Sequence, residues 1–209
     1  MYLRKIEEIF SFLLLGIVLP LFLCEFAITV WFYTDRDEAH ILWVLLAGII
    51  PGIIADFFIL KLWVEKRFEC PLWIMALVFF FYNVQIFGVF MGFPVFTLLM
   101  AVPAGLYIGR RLQFEKSSFE KVTSQAHNIS LFTGAVMLAN CVATGWIGLT
   151  QEGVTSGIQG MFRLGFEVTR PMLWMITLIG GTLLIFLQVW LTRYTIKAVF
   201  KNLPYIIPL

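Results

Sequence analysis

Between Pro71 and Gly109 the chain runs for 39 residues without an Asp, Glu, Lys or Arg. As one helix, such a stretch would measure about 58 Å, nearly twice the ~30 Å of hydrocarbon in a bilayer. It has to fold back, and Gly92-Phe93-Pro94 is the natural turn, because Gly and Pro break helices and a tight turn needs little polar sequence. The stretch therefore divides into predicted spans at 71–91 and 94–109. Further apolar runs at 10–33, 41–64, 129–150 and 171–193 each reach the roughly 20 residues needed to cross. The expected fold is all-α: a polytopic transmembrane helix bundle of six spans, with residues 1–209 forming a single integral membrane domain. With 60% hydrophobic and 13% charged residues, little sequence remains for a water-soluble domain.

The tryptophans support this map, since indole favours the interface where its N–H stays wet. Trp31, Trp43, Trp63, Trp73, Trp146, Trp174 and Trp190 all lie within four residues of a predicted span end. Basic residues then orient the chain, because Lys and Arg accumulate on the cytoplasmic side. With both termini inside, twelve of the 15 basic residues face the cytoplasm and only Arg36, Arg163 and Arg170 lie outside. The expected location is the plasma (inner) membrane. Arg4 and Lys5 ahead of the first run resemble the start of a signal peptide, but the run is too long and no A-x-A site follows it, so it is expected to remain as an anchor.

Close helix contact in lipid depends on small residues repeating every four positions. Gly48-x-x-x-Gly52, Gly88-x-x-x-Gly92, Ala101-x-x-x-Gly105-x-x-x-Gly109 and Ala135-x-x-x-Ala139-x-x-x-Ala143 supply four such stripes, expected to pack within the chain. Ser117-x-x-Glu120 fits a capping box that would start the fifth helix well before its apolar portion. The glycine-rich loop 151–169 is expected to lie on the outer interface. Leu72-Trp73-Ile74-Met75-Ala76-Leu77 resembles Leu173-Trp174-Met175-Ile176-Thr177-Leu178, a weak sign of an inverted three-plus-three repeat.

Asp56 and Glu25 stand out, because an ionised carboxylate near the bilayer centre costs ~2.5–3.5 kcal/mol or more. Asp56 continues the Gly48, Gly52 stripe by one further step of four, so it is expected to face the bundle. Pro51, just over one turn earlier, frees a backbone carbonyl nearby. Glu25 is expected ~12 Å further out along the membrane normal. Asn83, Gln85 and Asn140 fall closer to its depth and are expected to form a polar cluster with it, reachable from outside. Together Asp56, Glu25, Asn83, Gln85 and Asn140 are the predicted substrate- or ion-binding residues, with interhelical packing as the structural alternative. Lys61 lies about 140° around the helix from Asp56 and is expected to snorkel to the inner surface.

Recognisable enzyme chemistry is absent from the sequence. His40 and His127 belong to opposite membrane faces, and no H-E-x-x-H, G-x-S-x-G or phosphate-binding glycine loop occurs. Cys24, Cys70 and Cys141 are isolated, and Asp35, Asp37, Glu38 and His40 read as a solvated outer loop more readily than as a metal site. A formal net charge of +2 without a dense basic cluster excludes nucleic acid as a partner. Beyond the lipid bilayer, the expected partners are a small-molecule or ion substrate and a membrane protein or second copy of the chain. The expected function is a small transporter, channel or substrate-binding permease subunit with a buried polar site. A structural or regulatory subunit of a membrane complex ranks second, and an intramembrane enzyme acting on lipid third. Size and six-span layout resemble the substrate-binding subunits of energy-coupling-factor vitamin transporters, but the Ala-rich docking motif of their first helix is absent here, and the resemblance assigns no family.

Overall fold

The structure, a computed structural model, describes residues 12, 15–34, 37–90, 93–150, 153–163 and 165–202, and every regular element among them is helical. Helix α1 spans Val18–Thr34, α2 Ile41–Glu65, α3 Leu72–Val89, α4 Ala101–Phe114, α5 Phe119–Thr150, α6 Val154–Phe162 and α7 Arg170–Asn202. Three stretches are long and apolar enough to cross a membrane in α2, α3 and α5, and α7 supplies a fourth. They mark the chain as an integral membrane protein. Helix α1 is apolar but shorter, at 17 residues. By contact the chain forms two compact units, Met1–Val78 and Phe79–Leu209.

In the first unit α1 and α2 pair as an antiparallel hairpin, and their register follows from glycine. A Cβ built on Gly48 would lie 2.5 Å from the Cys24 Cα, and one on Gly52 would lie 2.4 Å from the Pro20 Cα. Only hydrogen fits at either position, so the two backbones touch where a larger residue would hold them apart. One step of four further along α2 brings Asp56 opposite Gly16. Gly48, Gly52, Asp56 and Leu60 are accordingly the buried residues of α2, the face expected from their spacing. Between the helices Asp37 caps a short 3-10 turn, its carboxylate accepting from the Ala39 N–H at 3.0 Å, while the Trp31 indole donates to the Asp37 carbonyl. That local use absorbs Asp37; Asp35 and Arg36 lie outside the described residues.

In the second unit α3 stops at Val89 and helical structure resumes with a 3-10 turn at Phe96–Met100, on either side of the expected break. Gly92 itself lies outside the described residues. The Phe90 ring stacks on Phe96 at 3.9 Å, and eleven residues earlier Phe79 packs with Met100, so the segments double back alongside each other. Helix α7 runs between α4 and α5. Gly105 and Gly109 sit against Thr195 and Val199, Gly134 against Val189, and the Thr133 and Thr192 hydroxyls hydrogen-bond at 3.1 Å. Ile108, Leu112, Val122, Ala126 and Ile196 form the buried core at one end.

Several expectations need correction. Among the described residues Gly88 meets nothing within 4 Å, and Ala135 and Ala139 are exposed, so these positions of two of the four small-residue stripes carry no helix contact. On α5 the residues that meet α7 are Thr133, Gly134, Cys141 and Gly145, a different face from the alanines. Helix α5 does begin ten residues before its apolar portion, but Ser118 rather than Ser117 caps it, its hydroxyl accepting from the Lys121 N–H at 3.4 Å. The Ser117 hydroxyl is buried without a hydrogen bond. Within the 151–169 loop, Val154–Phe162 is helical, flanked by left-handed Gly153 (φ 84°) and Arg163 (φ 48°). The suggested repeat breaks down locally, since its second copy enters a π turn at Ile176–Gly180 while the first is plain α-helix.

Candidate functional site

Among the described residues of the first unit Asp56 is the buried charged one: its relative exposure is 7%, and it forms no ion pair or hydrogen bond with any of them. A Cβ on Gly16 would collide with the Leu60 side chain at 2.9 Å and stand in ordinary contact with the Asp56 Oδ2 at 3.8 Å, so the bare Cα makes room for Leu60 beside the carboxylate. That carboxylate opens into a cleft of about 540 Å³ lined by Phe12, Gly16, Ile17, Ile53, Asp56, Phe57, Leu60 and Lys61. All eight belong to the first unit. The cleft is apolar apart from two side chains, Asp56 and Lys61.

Lys61 lines the same cleft as Asp56. The 140° angle around α2 is real, but Ile53, Phe57 and Leu60 fall inside that arc and line the cleft too. Asp56 and Lys61 therefore occupy its two edges instead of separate sites. The signal was present in the sequence: positions 53, 56, 57, 60 and 61 form a contiguous helical face, and a four-carbon stem lets an ammonium lie across such a face. Among the described residues Lys61 forms no ion pair.

Glu25 is exposed on α1, where its main-chain carbonyl accepts from the Thr29 hydroxyl. Because Cys24 meets Gly48 while Gly16 meets Asp56, Glu25 lies nine residues along the hairpin from the level of Asp56, about 13 Å. The two carboxylates do not share a site. In the second unit Asn83 is buried at 2% exposure but spends its amide on the Phe79 carbonyl of its own helix, at 2.8 Å. Gln85, two positions on, points to the far side of α3 and is half-buried. Asn140 is half-buried, with its Nδ2 making no hydrogen bond. No hydrogen bond joins these three amides among the described residues, so the expected polar cluster does not assemble in this unit.

Polar burial in the second unit lies elsewhere. Arg110 donates to the Gln113 Oε1 at 2.8 Å, and the Gln113 amide donates to the Val199 and Phe200 carbonyls at 3.1 Å each. Gln113 thus satisfies main-chain acceptors near the end of α7, a structural task. Outside the helix end, Glu115 bridges Arg111 and Lys121 at 3.0 Å each. Burial alone would raise the Glu115 carboxyl, but hydrogen bonds from Lys121 and Arg111 outweigh it and hold the group below the usual carboxylate range. Gln188, 1% exposed, leaves its Oε1 without a hydrogen bond. Gln113 and Gln188 are not among the expected site residues: Gln113 lies past the end of the 94–109 run, and Gln188 lies only five residues from the end of the 171–193 run.

Among the described residues no three His, Cys, Asp or Glu side chains come close enough together to hold a metal ion. Among the described residues the arrangement best suited to binding is a single carboxylate set in an apolar cleft with an ammonium at its edge. Compared with protein-family models, curated proteins and solved structures, the chain matches none.

Proposed function

We propose that this chain is a small membrane transporter, channel or substrate-binding permease subunit whose binding site is the Asp56 cleft. The observation that carries this reading is a nine-tenths-buried carboxylate, unpartnered among the described residues, opening into a 540 Å³ cleft. A membrane protein retains such a group against a desolvation cost of several kcal/mol when a cation, proton or substrate uses it. Six spans complete the proposal: α1 and the 96–114 segment join the four longer helices, with both termini cytoplasmic in a plasma (inner) membrane. The twelve-to-three division of basic residues supports that orientation.

A second reading, a non-catalytic subunit of a larger membrane complex, draws on the open small-residue faces at Gly88 and at Ala135 and Ala139. Mass spectrometry of gently extracted wild-type and Asp56→Asn chains separates the two. Transport predicts a bound small molecule or ion on the wild type that the variant loses while keeping its thermal stability. A stoichiometric protein partner on both, with no Asp56-dependent ligand, would replace the transport reading with the second.

A further inference from the structure

The cleft's walls say where a ligand enters, and the order of its charges says how the ligand lies. Phe57 is 83% exposed, and Phe12, Ile17 and Ile53 are also exposed, so apolar surface borders the opening except at Lys61. A ligand dissolved in lipid already lies against that apolar border. Along the α2 axis the lining follows a fixed sequence: Ile53 first, Asp56 and Phe57 next, Leu60 and Lys61 last. On the facing segment Ile17 lies toward the Ile53 end, and Gly16 lies beside Asp56 and Leu60. Phe12, four residues before Gly16, lies toward the Leu60 end. The lining thus runs from Ile53 and Ile17 past the carboxylate to Lys61, whose Cα lies about 7.5 Å further along the helix axis.

Resting on the reading of this cleft as a binding site, we infer that its ligand is a zwitterionic amphiphile with its cationic group next to the apolar tail and its anionic group at the far end. The tail lies past Ile53 and Ile17 and enters sideways from the lipid. The cation pairs with Asp56 in low dielectric, where the attraction is strong because water is excluded. The anion meets Lys61 at the edge. An amphiphile with the reverse order, anion next to the tail, would bring its anion to Asp56 and its cation to Lys61, two repulsive contacts in place of two attractive ones.

Two synthetic amphiphiles with equal tails isolate charge order: N-dodecyl-β-alanine, whose ammonium adjoins the tail, and dodecylphosphoethanolamine, whose phosphate does. Binding is measured calorimetrically to the full chain in phosphatidylcholine nanodiscs, with empty nanodiscs subtracted. The wild type should bind N-dodecyl-β-alanine at least about tenfold more tightly than dodecylphosphoethanolamine. Asp56→Asn and Lys61→Gln should each shrink that preference severalfold while melting temperatures hold; Lys61 is exposed, so its variant tests the inference even if Asp56→Asn misfolds. Equal affinities, a reversed preference, or a preference that survives both substitutions would overturn the charge-order inference. Dodecylammonium distinguishes the levels. If it binds the wild type and not Asp56→Asn while charge order has no effect, the inference fails and the site stands. If no probe depends on Asp56 and no Asp56-dependent ligand co-purifies, both fall.

Discussion

Replacing Gly52 by Ala adds one methyl group, and the structure says where that methyl must go. Its carbon would lie 2.4 Å from the Pro20 Cα, 2.8 Å from the Pro20 N and 3.2 Å from the Leu19 carbonyl carbon. All three are backbone atoms, so no rotamer change relieves the clash. Carbon atoms in ordinary contact stand about 3.5–4.0 Å apart, so α1 and α2 must separate by roughly 1.1–1.6 Å at that level. Overpacking of this kind costs about 1–3 kcal/mol. At about 2–4 °C per kcal/mol for a chain of this size, the melting temperature should fall by about 2–12 °C. Gly88→Ala is the matched control. It adds the same methyl to a helical glycine with nothing within 4 Å, and removing glycine's backbone freedom should stabilise by about 0.5–1 kcal/mol. The assay is thermal unfolding of the full chain in one detergent, with wild type, Gly52→Ala and Gly88→Ala measured together. Opposite signs are expected. If Gly52→Ala melts with the wild type, or Gly88→Ala falls as far as Gly52→Ala, the close approach of α1 and α2 is wrong.

Two further predictions concern the helix ends and the topology. Glu115→Gln should lower stability near pH 7 by no more than about 1 kcal/mol, because exposed ion pairs contribute little. The folded Glu115 carboxyl titrates below its ordinary value of 4.5. Its contribution is therefore complete above that pH and disappears as pH falls through the lowered folded value. Melting curves of the two proteins should converge in acid; a gap that persists or widens there would contradict the Arg111 and Lys121 pairing. In a background with Cys24, Cys70 and Cys141 replaced, a cysteine at Arg163 should react with an impermeant thiol reagent on intact cells, and one at Lys116 should not. Labelling of both would refute the proposed orientation.

What the sequence by itself determined was the solvent and the local geometry. An uncharged run of 39 residues has to become helix in lipid, because only internal hydrogen bonds satisfy its backbone there, and it has to be interrupted, as it is between Val89 and Phe96. A period of four placed Gly48, Gly52 and Asp56 on one face, and the structure buries that face. Tertiary structure decided which stripes find a partner. Gly52 and Gly88 sit in similar motifs, yet one meets a backbone at 2.4 Å and the other meets nothing, because spacing describes a helix surface and not the neighbour opposite it. The site divided in the same way. Asp56 was legible as a charge in an apolar run, whereas its company was not. Lys61 joins it because the cleft spans the whole arc between them, Glu25 lies at another level of the hairpin, and within the second unit no hydrogen bond joins Asn83, Gln85 and Asn140 among the described residues. Similar depth in a membrane fixes one coordinate of a side chain; the other two come from how the helices pack.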